Sequence, residues 1–330
     1  MSIITFEGNT AAQLYEEGLY QFRVSGRKEA SRNGPVMVLP DIALFTLNSP
    51  RHRVLDDAMR NANPFFHMME FIWMMAGRAD VAWLMQFNKR MNEYADDGRL
   101  WAAYGDRWRN WFAMDQVQAV IERLRKDKTT RQAVIQMWSP DPDLSNIWKD
   151  KACNTSIMFR NNAGALDMLV TNRSNDFVWG ALGANIVHMT MLHELIAHLS
   201  GIPLGKYSVV SNNLHIYENM PRSVEIQNTL VAGEIYDNCE PLPLFGKDEE
   251  YGGFVTDCEN FCNNRMAGLY APGFLSQTAY LAYTAWFKRH DDTRYALQLI
   301  DNMKHHDWRI ACQNWFKRNV KGAEKCMEKK

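Results

Sequence analysis

Two stretches joined by a turn, NTSIMFRNN (154–162) and LDMLVTN (166–172), constrain the fold more than any other part of the chain. Leu166, Met168 and Val170 alternate with Asp167, Leu169 and Thr171, the pattern of a strand that buries one face. Asn161-Asn162-Ala163-Gly164 supplies the turn chemistry between the two. The second strand then runs into four polar residues, Arg173-Ser174-Asn175-Asp176, before Phe177, Val178 and Trp179 resume the apolar run. Buried unpaired charges are costly, so each of these groups requires a partner in the protein or in a ligand.

Helices and further strands surround this pair. AAQLYEEGLYQFRV (11–24) reads as a helix and SGRKEASRNGPV as a polar, cationic loop. Residues 64–85 show helical periodicity around PFFHMMEFIWMMAG, and MDQVQAVIERLRKD (114–127) is amphipathic. RQAVIQMW (131–138) reads as a strand, 185–201 as an apolar helix ended by Gly201, and 206–220 contains another strand. Beyond Tyr251-Gly252-Gly253 the segment 264–330 is helical and aromatic, with a basic tail.

The chain has 330 residues, 46% of them hydrophobic, enough to bury a sizeable core. Its 37 Lys and Arg balance 38 Asp and Glu, so no overall field draws nucleic acid or an anionic membrane. No apolar run approaches the ~20 residues of a membrane span, and the first residues do not resemble a signal peptide. Six scattered cysteines are unlike a disulfide framework. A soluble protein of a reducing compartment, the cytoplasm, is expected.

Several side chains could carry chemistry. Cys153 stands at a strand entry near Lys149 and Lys151, and cations of this kind favour a nucleophilic thiolate. On position alone an ordinary buried cysteine is the commoner explanation. Arg32, Arg131 and Arg173 lie in loops or at strand ends, and a guanidinium fork matches two phosphate oxygens; any one of them could equally be a surface ion pair. Glu70 is the one acid in a dense apolar helix, where burial would raise its pKa. His215 and Tyr217 alternate onto one strand face and could hold a sugar hydroxyl, or be half-buried polar aromatics. The histidines of HELIAH, His193 and His198, are spaced i, i+5 and point ~140° apart on a helix. With Cys258-x3-Cys262 lacking a second pair, no metal site is expected. No GxGxxG, Walker A or nucleophile-elbow pattern occurs.

In their order along residues 8–263 these pieces resemble the thymidylate synthase family, which includes the deoxynucleotide hydroxymethylases of phages. The motifs are SRNGPV, MEFIWMMAGR, YGDRWR, the helix-to-strand stretch DQVQAVIERLRKDKTTRQAVIQMW, KACNTSIMF, RSNDFVWG and LHIY. The resemblance implies an α+β fold with a large mixed, mostly antiparallel sheet flanked by helices, in a catalytic domain 1–263 with a helical extension 264–330 packed on it. It implies Cys153 as the nucleophile adding to pyrimidine C6, with Glu70 and Tyr104 organising proton transfer and Asn185 reading the base edge. Arg32, Arg173 and Ser174 would hold the 5′-phosphate, joined by Arg131 from the other subunit of a homodimer. His215 and Tyr217 would hold the ribose, Asn154 would also contact substrate, and Asp176, Trp73 and Gly180 would meet the cofactor, 5,10-methylenetetrahydrofolate. Nucleotide and folate are the expected partners, with neither membrane nor nucleic acid; for a phage-encoded enzyme the compartment is the host cytoplasm.

The sequence also departs from the synthases. Asn154 follows the cysteine where they have His, and Gln132 replaces the second arginine of the cross-subunit pair. RSND and LHIY are spelled as in the hydroxymethylases, and one extra residue separates Gly180 from Asn185. The tryptophan expected before YG is missing from FNKRMNEYADDG, which would favour water over hydride. A neutral amide at Asn185 can accept from uracil N3–H and donate to O4, whereas cytosine presents the opposite pattern. Hydroxymethylation of dUMP rather than dCMP is therefore expected, ahead of a divergent thymidylate synthase and of a relative that binds nucleotide or RNA without catalysis.

Overall fold

The computed structural model describes residues 2–229, 234–237, 239–265 and 273–327. Among them, β1 (Ile3–Gly8), β4 (Ile42–Leu47), β5 (Val134–Gln136), β6 (Asn154–Asn162), β7 (Ala165–Asn172) and β9 (Leu204–Ser211) form one sheet in the order β1-β4-β9-β7-β6-β5. The β1–β4 and β7–β9 pairs are parallel and the other three antiparallel. A smaller sheet follows the order β2 (Arg27–Ser31), β3 (Gly34–Val38), β10 (Leu214–Tyr217) and β8 (Asn175–Asp176). The architecture is thus α+β, mixed and mostly antiparallel, as the resemblance implies.

The large sheet has two unlike faces. Ala43, Phe45, Val170, Met168, Val209 and Ile157 are buried on one, where helix Ala11–Ser25 lies against β1 and β4 and helix Ile186–Ser200 against β9. Leu44, Leu169, Met158 and Val210 on the other are only half-buried, and Val134 is 43% exposed. Gly201 ends that helix in the left-handed conformation, φ 64°.

Four segments differ from expectation. SGRKEASRNGPV is a β-hairpin rather than a loop, because every residue of β2 is exposed and no apolar alternation betrays it. Residues 206–220 hold two strands, and the strand expected over 131–138 shortens to Val134–Gln136. The periodic run 64–85 breaks after Ala76, where Gly77 takes φ +65°, into helices Pro64–Met75 and Val81–Met85. Asn63 caps the first, accepting from Phe66 N–H at 3.2 Å, with Pro64 in its first turn.

Helix Pro64–Met75 connects core and site. A Cβ on Gly105 would stand 1.9 Å from the Met74 carbonyl oxygen, so only glycine lets helix Tyr104–Arg109 approach, and Tyr104 arrives beside the helix bearing Glu70. At the other end Phe65 packs among Trp286, Trp315 and Phe316, with centroids at 5.7, 5.5 and 5.4 Å. Trp286 also donates its indole N–H to the Gln86 carbonyl at 2.9 Å, and Arg318 pairs with Asp56 at 2.6 Å. These contacts seat the C-terminal helices on the same core. Phe65→Ala should therefore cost about 3–5 kcal/mol through the cavity it leaves, read as a lower urea midpoint, and should make 273–327 more protease-sensitive.

Candidate active site

Strand pairing places the nucleophile candidate. β6 begins at Asn154 opposite Asn172, and one residue beyond the ladder Arg173 N–H donates to the Cys153 carbonyl at 3.0 Å. Arg173 then folds back over the cysteine. Its Nε donates to the Ala152 carbonyl at 2.9 Å and its Nη2 to the Lys151 carbonyl at 3.3 Å, leaving Nη2 3.9 Å from Cys153 Sγ. The guanidinium also stacks over Trp138, 5.5 Å from the ring centre. Burial pushes the Cys153 thiol up, Asp150 and Asp176 add to the rise, and Arg173 and Arg32 oppose it.

Arg32 reaches the site from the turn of the β2–β3 hairpin. That turn is tied to β10 and the residues after it, for Asn33 Nδ2 donates to the Tyr217 hydroxyl at 3.3 Å and Asn219 Nδ2 to the Asn33 carbonyl at 3.1 Å. His215 lies edge-on to Tyr217 at 4.9 Å, with Nδ1 2.8 Å from Asn213 Oδ1, and burial lowers its pKa. Arg173 thus contacts Cys153, Arg32 acts on it electrostatically, and Asn33 beside Arg32 reaches Tyr217, while Ser174 next to Arg173 is half-buried. Arg131 stands apart, exposed ahead of edge strand β5 with no polar partner among the described residues, while Gln132 accepts from Arg123.

A row of amides lines the floor. Asn185 Nδ2 donates to Asn175 Oδ1 at 3.4 Å, Asn175 Nδ2 to Asn172 Oδ1 at 3.3 Å, and Asn172 Nδ2 to Asn154 Oδ1. With one amide N–H engaged, Asn185 keeps its oxygen and a second N–H free for a ligand. The extra residue before Asn185 is absorbed by a wide π-type helix, Phe177–Asn185, which ends with Ile186 N–H bonded to the Ala181 carbonyl five residues back. A Cβ on Gly180 would lie 2.7 Å from Asn175 Oδ1, so a side chain there would displace that amide from the row. Asp176 caps the segment by accepting from Val178 and Trp179 N–H at 3.2 and 3.3 Å; burial lifts its pKa to about 7 despite those bonds.

Buried ionisable groups with shifted acidities lie near the cysteine. Burial first, and then the charge of Asp150, raise Glu70 to about 8. Burial and the neighbouring Cys153 hold the Tyr104 phenol well above its usual range, although Asn154 N–H donates to it. His188, one helical turn past Asn185, places Nε2 3.5 Å from Glu70 Oε2 and 3.1 Å from the His67 carbonyl, and burial lowers it to about 3. His188, Asn172 and Asp150 were not anticipated from the sequence. Each lies within three residues of an anticipated one (Asn185, Arg173 and Cys153), but nothing in the residue types alone marks them out.

Beside this cleft a cavity of about 510 Å³ is lined by Phe66, Phe87, Met91 and Trp179, with Glu70 at its wall and Arg90 and Arg222 among its polar groups. Trp73 is not part of that lining; it is fully buried and donates to the Asp80 carbonyl at 3.0 Å. His193 and His198 are separated, the one bonded to the Leu166 carbonyl and the other stacked on Phe245.

The raised Glu70 pKa fixes a sign. An acid whose folded value, about 8, exceeds its ordinary 4.5 contributes stability below 4.5 that is lost as pH rises through 8. Relative to Glu70→Gln, the wild-type Tm should fall between those values; parallel curves would contradict a buried, protonated Glu70.

The family model described as Thymidylate synthase matches residues 58–232. A deoxyuridylate hydroxymethyltransferase of Pseudomonas phage M6 is 38% identical over 321 residues, covering 93% of this chain and 92% of that protein. A protein of the same description from Bacillus phage SP01 is 35% identical over 225 residues, covering 64% of this chain and 58% of its own length. One from Delftia phage PhiW-14 is 31% identical over 229 residues, covering 66% and 62%. With its mixed sheet and a cysteine set at the foot of one strand beneath an arginine, the chain belongs to the thymidylate synthase family.

Proposed function

We propose that the protein hydroxymethylates C5 of dUMP, as the names of its phage relatives suggest for them. The observation that carries this reading is the convergence of Arg173 and Arg32 on Cys153, above an Asn185 amide oriented by its neighbours. The two guanidinium groups, with Ser174, hold the 5′-phosphate. His215 and Tyr217 hold the ribose, and Asn154 closes the floor beside the ring.

Cys153 attacks C6, and electron density moves onto C5, which is a poor nucleophile until that addition occurs. 5,10-Methylenetetrahydrofolate supplies the one-carbon unit that C5 takes up. The cavity beside Glu70 suits that donor, offering aromatic walls for a flat ring and Arg90 and Arg222 for an anionic tail, and Asp176, which caps the segment bearing Trp179, is assigned to the ring. Glu70, held protonated, and Tyr104 position water and protons near C5. The half-buried outer face of the large sheet and the unpaired Arg131 favour a homodimer in which Arg131 reaches the partner's phosphate site. Within the segment 264–330, the described residues 273–327 serve as a packing extension of the catalytic domain; 266–272 and 328–330 lie outside the described residues. No helix among the described residues is long and apolar enough to cross a membrane, which fits a place in the cytoplasm of an infected host.

Incubation with dUMP and methylenetetrahydrofolate should add a CH2O unit and release tetrahydrofolate. Addition of CH2 with dihydrofolate would instead identify a thymidylate synthase. Cys153→Ala should abolish turnover while nucleotide binding survives. Asn185→Asp should shift the kcat/KM ratio of dUMP to dCMP toward dCMP by at least about tenfold.

A further inference from the structure

Asp150 stands three residues before the nucleophile and opposes it. Its hydrogen bond to Ala102 N–H places it two residues from Tyr104, and its charge raises the pKa of Cys153, Tyr104 and Glu70 alike, so it lies close to all three. A carboxylate beside a cysteine that must ionise hinders addition to C6, and such a cost calls for a compensating task.

The local structure holds this carboxylate ready. Oδ2 accepts from Ala102 N–H at 3.0 Å, and Oδ1 has no hydrogen-bond partner among the described residues. Trp148 stacks on Trp101 at 4.4 Å and 5°, which fixes the two backbone segments against each other. The flanking lysines turn away, Lys149 Nζ to the Ala95 carbonyl and Lys151 Nζ to those of Asp143 and Asn146. Arg107 is committed to Asp143 at 2.8 Å, both fully buried. No ion pair among the described residues includes Asp150. Arg107, Asp143 and Asp96 act on it electrostatically, and it acts in turn on Glu70, Tyr104 and Cys153.

We propose that Asp150 is the general base for the water that ends the reaction, a role resting on the hydroxymethylase reading above. Once the one-carbon unit is an exocyclic methylene on C5, a water oxygen forms the new C–O bond. The C5–methylene π pair moves onto C5 and the C4 carbonyl as an enolate, and the water proton passes to Asp150. The enolate pair then re-forms C5=C6 as the C6–S bond breaks and the Cys153 thiolate departs. Water supplies both the hydroxyl and the released proton, so neither oxidant nor reductant is consumed. The acidities suit this division, because Asp150, raised by burial only to about 6, is ionised at neutral pH while Glu70, at about 8, keeps its proton.

Asp150→Asn separates the two consequences. Formation of hydroxymethyl-dUMP should fall by about 100-fold or more. Alkylation of Cys153 by iodoacetamide at pH 8, followed by peptide mass mapping, should become several-fold faster, because a charge opposing the thiolate is gone. Asp150→Glu should recover part of the lost turnover. Turnover within about twofold of wild type, a loss of alkylation and turnover together, or equal rates for the Asn and Glu variants would each overturn the assignment. A wild-type enzyme that yields the methyl product would overturn the hydroxymethylase reading itself, an outcome visible without any variant.

Discussion

The guanidinium of Arg173 is the constraint on which the site depends. It satisfies the carbonyls of Lys151 and Ala152 and approaches the Cys153 sulfur at 3.9 Å, while its own N–H prolongs the β6–β7 ladder to the Cys153 carbonyl. One residue therefore shapes the loop before the nucleophile, fixes the sulfur at the sheet's end and supplies the nearest positive charge. Without bound anion the balance still favours the thiol, since burial outweighs the two arginines. A phosphate drawn to those arginines would further weaken their pull on the sulfur. The thiolate is thus a reactive minority species, compatible with an addition that must later reverse.

Around that centre two polar systems divide the work. The amide row from Asn154 to Asn185 is neutral and carries orientation, so it can present an acceptor and a donor to a base without adding charge near the sulfur. Burial separates the acidities of the carboxyl groups near the cysteine, from about 6 at Asp150 to about 8 at Glu70. Placing both on elements anchored by core contacts, Gly105 against Met74 and Trp148 against Trp101, lets a polar site persist inside an aromatic-rich molecule.

Most of this architecture was legible where burial imposes periodicity. The β6 and β7 strands and the helix ending at Gly201 stand where their apolar alternation or spacing placed them. The β2–β3 hairpin was not, because an exposed strand has no buried face to write into its sequence. In the site, motif order pointed to Cys153, Arg32 and Arg173, which the fold brings together. The extra residue before Asn185 could be counted in the sequence, but only the wide helical turn shows how it is absorbed. Asp150 and His188 escaped notice because their meaning lies in contacts across the fold: the charge of one on Glu70 and the 3.5 Å approach of the other to the same group. Trp73 was expected at the cofactor from its motif; in the fold its indole N–H donates to the Asp80 carbonyl in the core.

The central claim is that the Cys153 sulfur bonds C6 of a pyrimidine nucleotide. It is tested most directly by mixing the enzyme with 5-fluoro-dUMP and methylenetetrahydrofolate, denaturing, and mapping peptide masses. Fluorine cannot leave C5 as a proton does, so the adduct should persist, with nucleotide and folate both retained on the peptide that carries Cys153. A mass gain on another residue, or an unmodified Cys153 under conditions of full turnover with dUMP, would contradict it.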